Sequence, residues 1–401
     1  MDSKGSTAYV TIVQALSLLV LCVVMVAGLW PFRAPRNAVS WLKSENGLRF
    51  GHHGTLISRD AFRLVSPVDQ GPCSLEIWLT PESVSRGGVI LAFDSSPDAS
   101  TPFSLRQVGS SMAIQRYATD EQDTPHRPWL EVDGVFYERK RTQITIASGT
   151  DGTTIYVNGV LAGGSSTLGV TSRDLTGRLV VGNSTIDESW SGEISRLAIY
   201  DRELLPVEVK RHFESEIGES DSSGGDGPTA LYLFNEREGT TVHNKMDPET
   251  DLLIPDHYCV LHRALFRPLW DGFNDSGAAW RRWSYWKDIA VNVAGFIPVG
   301  FLFMAYFSSV KALQRSALFV ITLGFAVSFT IEALQYFLPT RDSSISDLIT
   351  NTTGTAVGVV LYRLPWVQRL VCRTRQYVTS SSHVGQEGIN ICEPTTTRHE
   401  V

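Results

Sequence analysis

The stretch SFTIEALQYFLPTRDSSISDLITNTTGTAVG, residues 328–358, sets polar side chains at helical spacing within two otherwise apolar runs. Spacings of four and three put Ser328, Glu332 and Gln335 on one helix face, and Asp347, Asn351 and Gly354 on another. A charged group at the centre of a membrane helix costs about 2.5–3.5 kcal/mol on insertion scales, so such residues face a protein interior or a wet cavity. A third run has the same form: Asp288, Asn292 and Gly295 open an apolar segment that continues through Pro298 and Gly300.

Working outward, these runs predict three spans, at about 288–307, 316–337 and 347–364, within a membrane domain over 276–364. Residues 8–30 carry no charge and are long enough to form another. That run exceeds a typical signal-peptide core, Lys4 is its only flanking cation, and no Ala-x-Ala precedes Trp30-Pro31. It therefore reads as a retained anchor behind a short N-terminus (1–7), with cleavage the alternative. Lys311 and Arg315 lie between the second and third spans, and Arg363, Arg369, Arg373 and Arg375 follow the fourth, against Arg341 alone between the third and fourth. The positive-inside rule then puts both termini in the cytoplasm and the long loop outside. Arg33, Arg36, Arg281, Arg282 and Lys287 run against this count, but they flank a translocated domain, where the rule is weak. Residues 373–401, polar and rich in Ser and Thr, are expected to be a disordered cytoplasmic tail.

Across 401 residues the net charge of −7 leaves no basic footprint, which argues against a nucleic-acid partner. Cys73 and Cys259 share the exported loop and could bridge; isolated thiols are the alternative.

From about Gly47 to Phe213 the chain breaks into short alternating runs between turn residues, the pattern of an all-β sandwich. Leu75, Ile77 and Leu79 share one face of CSLEIWLT, as Ile144 and Ile146 do in QITIA. Asp151-Gly152 and Asn158-Gly159 flank TTIYV and predict two consecutive hairpins. LLPVEVKRHF predicts a short helix with Leu205, Val209 and Phe213 in register. A Gly/Ser-rich acidic linker near 215–228 separates this from a further apolar pair, ALYLFNEREGTTVHNK and DLLIP, expected on the same sandwich, so that the exported domain covers 40–258. A separate subdomain is the alternative for that pair. His52-His53 is read as a turn or edge feature, because neighbours in a strand face opposite sides. The acids Asp187, Glu188 and Glu193 are expected in a solvated loop, and Asn183-Ser-Thr fits a glycosylation sequon.

Taken in order, GLRFGHHGTL, SLEIWLTPESVSRGGVILAFDS, ITIASGTDGTTIYVNGVLAG and GRLVVGNS…WSGEISRLAIYDREL resemble the laminin-G-like, concanavalin A-like jelly-roll family. The resemblance implies two packed antiparallel sheets that bind carbohydrate or protein. Calcium is the one cofactor it brings in, since some relatives hold the ion at a sandwich rim; Asp94, Asp98, Asp120 and Asp123 offer oxygen ligands, though no spacing defines a site. The paired carboxylates of a glycosidase are absent at glucanase spacing.

The membrane motif D-x3-N-x2-GFIPVG, followed by S-x3-E-x2-Q-x3-P-x-R-x2-S-x2-D-x3-N-x2-G-x3-G, resembles the VanZ-like family of small polytopic membrane proteins over residues 285–364. That resemblance implies a bacterial envelope role, its founding member being associated with teicoplanin resistance, but no settled activity. The whole chain is thus expected to be a multidomain protein: an all-β jelly-roll sandwich inserted into a polytopic α-helical membrane domain of four transmembrane helices.

The topology brings the polar faces to one membrane depth, where Asp288, Asn292, Ser328, Glu332, Gln335, Asp347 and Asn351 could line an outward pocket with Arg341 as counter-charge. Gly354 and Gly358 permit close helix approach, Gly295 and Gly300 are assigned the same packing role, and Pro298 between them predicts a kinked or interrupted helix. Trp280, Trp283 and Trp286, interleaved with Arg281, Arg282 and Lys287, predict an interfacial anchor; phosphate binding is the other role for the arginines. The partners expected are membrane lipids and a glycan or cell-wall polymer. The leading expectation is a non-enzymatic binder, with a membrane enzyme using Glu332 or Asp347 as general base, a transporter, or a tethered lectin-like module as alternatives. Helix stapling is the structural alternative for the polar stripe.

Overall fold

The computed structural model describes residues 3–64, 70–94, 103–116, 118–119, 125–126, 128–183, 189–215, 227–261, 265–266, 283–310, 317–341 and 343–381. It divides into two compact units: Met1–Phe32, Leu265–Leu338 and Asp342–Val401 form one, and Arg33–Ala264 with Pro339–Arg341 form the other.

The second unit is a β-sandwich. Among the described residues one eight-stranded sheet runs Val39–Trp41, Leu48–Phe50, Gly192–Tyr200, Cys73–Pro81, Thr142–Gly149, Gly152–Val157, Val160–Ser165, with Ala230–Tyr232 also paired to Gly192–Tyr200. The other runs Trp129–Val132, Ser111–Arg116, Phe103–Val108, Gly88–Asp94, Arg178–Val181, Leu56–Ser58, Leu252–Leu253, Thr241–Val242. Leu75, Ile77, Leu79, Ile144 and Ile146 point into the core between the sheets, as their alternation requires. The pair of strands beyond the linker adds to both sheets, through Ala230–Tyr232 on one and Leu252–Leu253 on the other.

Turn chemistry places the hairpins. Asn158 and Gly159, at φ 52° and 76°, form the two-residue connection between Val157 and Val160 that twisted hairpins favour. The preceding hairpin differs from expectation: Gly149 pairs with Gly152, so Thr150-Asp151 form the loop and Gly152 carries the positive φ of 102° at the strand's start. His52 and His53 lie in a turn, as expected, with their rings 4.0 Å apart and tilted by 33°.

Cys73–Pro81 is buried on both faces, which simple alternation does not foresee. The cover over its outer side is helix α2 (Pro206–Glu214), whose Phe213 stacks on Trp78 at 5.8 Å and whose Val209 is fully buried. Burying Val209 contributes about 1.5–3 kcal/mol toward holding the helix down. Pro206 begins α2 and the Glu208 carboxylate accepts from the Leu205 backbone N–H at 2.9 Å, so Leu205 is the cap, 58% exposed, and not part of the buried stripe.

The first unit is helical: α1 (Ser3–Leu29), α3 (Trp283–Ser309), α4 (Ala317–Gln335), α5 (Ile345–Arg363) and α6 (Pro365–Ser381). Three segments among the described residues are long and apolar enough to cross a membrane: Ala8–Leu29, Trp286–Ser309 and Ala317–Gln335. α5 matches α4 in length but is more polar. Its start is set by Ser344, whose hydroxyl accepts from the Ser346 N–H, with Asp347 in the first turn where the helix dipole favours an anion. α3 is continuous through Pro298. The segment expected to be a disordered tail is helical to Ser381: Pro365 opens α6, Val367 is buried, and Arg375 lies over the Tyr9 ring of α1 at 5.6 Å. Residues 382–401 lie outside the described residues.

Cys22, Cys73 and Cys259 are not in disulfides, so no Cys73–Cys259 bridge forms; Cys372 is disulfide-bonded.

Candidate functional site

In the helical unit a run of polar contacts links four helices. Asn292 Nδ2 on α3 donates to Asp347 Oδ1 on α5 at 2.7 Å, and Asn351 Nδ2, one turn along α5, donates to Ser328 Oγ on α4 at 3.0 Å. One turn beyond Ser328, Glu332 Oε2 accepts the Ser344 backbone N–H at 2.8 Å, and Gln335 Nε2 donates to the Gly28 carbonyl of α1 at 2.8 Å. These bonds gather the C-terminal ends of α1 and α4 with the N-terminal ends of α3 and α5. Ser328, Glu332, Gln335 and Asn351 are buried, at 0%, 1%, 8% and 5% exposure.

Small residues let the helices come close enough for those bonds. A Cβ at Gly300 would collide with the Thr355 backbone, one at Gly354 with the Val293 carbonyl, and one at Gly358 with the Ile297 carbonyl. The α3–α5 contact is therefore backbone against backbone. Gly295 differs: nothing lies within 4 Å of where its Cβ would stand, because it is on the exposed side of α3.

Two charged residues expected in this group occupy exposed positions. Asp288, one turn before Asn292, is exposed. Arg341 is also exposed, and Glu332 takes part in no ion pair among the described residues. Trp280, Arg281 and Arg282 lie outside the described residues, as does the Trp283 side chain; Trp286 is 52% exposed.

The sandwich holds a polar cluster that a residue-by-residue reading passed over. Glu76, 1% exposed, accepts from Gln143 Nε2 (3.3 Å) and Thr145 Oγ1 (3.1 Å) on one oxygen, and bonds Tyr200 OH (3.0 Å) and His212 Nδ1 (2.9 Å) on the other. Burial, reinforced by the adjacent Glu76 charge, pushes the Tyr200 hydroxyl well above its usual range, so it remains a donor. The signal was present in CSLEIWLT, where a carboxylate occupies the strand face opposite Leu75 and Ile77. Only the packing of α2 reveals that this face is covered.

Other expected sites resolve differently. Asn183 is fully buried and its amide donates to Tyr258 OH at 2.7 Å, so the sequon nitrogen is enclosed. Glu193 is in a strand, not a loop, and pairs with Arg49; Asp187 and Glu188 lie outside the described residues. Asp94 ends a strand and is 6% exposed, while Asp98, Asp120 and Asp123 lie outside the described residues. Among the described residues no three His, Cys, Asp or Glu side chains cluster as a metal site would require. An open recess of about 740 Å³ lies along the hairpin 152–165, lined among others by Asp151, Thr154, Tyr156 and Leu161.

Residues 58–210 match the concanavalin A-like lectin/glucanases superfamily, and residues 231–367 match the VanZ/LLP1 family. The second match begins inside the sandwich, at the strand Ala230–Tyr232, and extends through α5. Among solved structures the chain is similar to the CBM40 module of a Ruminococcus gnavus IT-sialidase bound to alpha2,3 sialyllactose, at 13% identity over 35% of this chain and 82% of that one, with a TM-score of 0.31. It is also similar to the native heptameric SAP-like pentraxin of Limulus polyphemus, at 13% identity over 56% of this chain and 93% of that one, with a TM-score of 0.33. No curated protein matches it. The chain thus joins a concanavalin A-like lectin/glucanase domain to a VanZ/LLP1 family region with membrane-length helices.

Proposed function

We propose that this is a multi-pass protein of the bacterial cytoplasmic membrane whose exported sandwich binds a glycan or surface polymer, while a polar recess in the helical unit takes the headgroup of a lipid, such as a lipid-linked cell-wall intermediate. α5 serves as the fourth span. Its polarity is compatible with crossing because Asn351, Gly354, Thr355 and Gly358 are turned to protein, leaving Val360 and Ile349 among its exposed side chains. The excess of Lys and Arg after α5 assigns that end to the cytoplasm, and the polar run to the opposite, outer end.

The observation that carries the reading is Glu332: a buried carboxylate in a membrane-length helix, held by one backbone N–H. A purely structural stripe would be expected to pair its charge, since a lone buried ion is costly. For the sandwich, the lectin superfamily match and the open recess along 152–165 supply the motive.

Two measurements test the two halves. In cells, Glu332→Gln is expected to abolish an envelope phenotype of the deletion strain at unchanged protein level; full complementation would refute the recess. On a glycan array, the detergent-purified full chain should retain a defined set of glycans, and Leu161→Arg, at a 64% exposed position, should weaken retention. Retention of nothing would refute the glycan role.

A further inference from the structure

We infer that the ligand group received at Glu332 is a hydrogen-bond-donating cation, a primary ammonium, and not a phosphate; this rests on the recess reading above. Among the described residues, the buried side-chain atoms of this run that have no hydrogen-bond partner are acceptor oxygens. Glu332 accepts one N–H, from Ser344, and no cation pairs with it among the described residues. Asn351 Oδ1 and Gln335 Oε1 are buried and have no hydrogen-bond partner. Meanwhile each amide nitrogen of the run already points at a protein acceptor: Asn351 at Ser328, Gln335 at Gly28 and Asn292 at Asp347.

Chemistry then discriminates between ligands. A phosphate brought to this place would meet a carboxylate and two unpartnered carbonyl oxygens, while the amide nitrogens are already engaged with protein acceptors. An ammonium carries three donors and no acceptor, the complement of that set. It would also neutralise Glu332, removing the several-kcal/mol penalty of a lone buried charge. Along α4 the Ser328 and Glu332 levels are one turn apart, about 6 Å, so an amine on a short stem beside Glu332 comes within a bond or two of the Asn351 level. The amine could belong to a lipid headgroup or to a small soluble amine.

The test uses the full chain in detergent and in nanodiscs, following thermal unfolding by tryptophan fluorescence. Ethanolamine should raise the midpoint of the wild-type protein in a saturable way, and inorganic phosphate at matched ionic strength should not. Glu332→Gln should weaken the ethanolamine effect at least tenfold, and Gln335→Leu should weaken it without abolishing it. If the natural source is a lipid, phosphatidylethanolamine nanodiscs should stabilise the protein over phosphatidylglycerol nanodiscs and remove its response to added ethanolamine. An unchanged response in both nanodiscs points to a soluble amine and still supports the ammonium. Stabilisation by phosphate or by phosphatidylglycerol instead would overturn the cation while keeping the recess. No response to any probe, with Glu332→Gln as active as wild type in cells, would overturn both. Should Glu332→Gln not fold, the wild-type contrast between ethanolamine and phosphate decides alone.

Discussion

Replacing Glu76 with leucine tests whether the buried cluster holds α2 against the sandwich. The substitution removes an acceptor from Gln143 and Thr145, both fully buried, and from Tyr200, 3% exposed; His212, with 14% of its side chain exposed, can turn to water. Leaving three buried donors without a partner costs roughly 1–3 kcal/mol each, a range of about 3–9. The lower half applies, because the hydroxyls can rotate and because the cost of burying the carboxylate is also removed; breaking a buried charged contact at one end typically costs about 3–5 kcal/mol. At about 2–4 °C per kcal/mol for a domain of this size, the midpoint of the sandwich should fall by roughly 6–20 °C. Thermal unfolding of the full chain, followed by tryptophan fluorescence, reads this directly, since Trp78 lies under Phe213 of α2. His212→Ala should cost less, about 1–2 kcal/mol, and should cost almost nothing in the Glu76→Leu background. A drop of less than about 2 °C for Glu76→Leu would refute the reasoning.

Further outcomes follow from other contacts. The hydrogen bonds from Arg202 hold the Glu208 carboxyl below the usual glutamate range, so its contribution is complete above the unfolded value of about 4.3 and disappears as pH falls through the lower folded value; Glu208→Gln should flatten that acid limb in a fluorescence titration. Gly358→Leu should destabilise the helical unit by about 3 kcal/mol or more through the Ile297 carbonyl, whereas Gly295→Leu should be tolerated; equal effects on folded yield would contradict the α3–α5 packing. Expressed in a glycosylating host, Asn183 should remain unmodified by intact-mass analysis, and glycan occupancy on folded protein would show that its enclosure by Tyr258 is wrong.

The positions of the polar stripe were legible, but not which of its charges meet. Asp288, Glu332 and Asp347 have the same local pattern, yet Asp288 is exposed while Asp347 accepts from Asn292 and Glu332 from Ser344. Helical spacing gives a face, and only neighbouring helices decide whether that face is covered. Gly295 and Gly354 likewise occupy equivalent motif positions, and only Gly354 meets another backbone.

What the sequence determined by itself was set by short-range rules. Period-two runs between glycine turns made the strands, and predominantly apolar runs of membrane length made the helices. Tertiary structure alone decided the order of the sixteen strands in the two large sheets, the covering of Glu76 by α2, the enclosure of Asn183 and the isolation of Glu332. Burial and pairing join residues more than a hundred positions apart, as Glu76 and His212 are, and no local period encodes which distant surface will arrive.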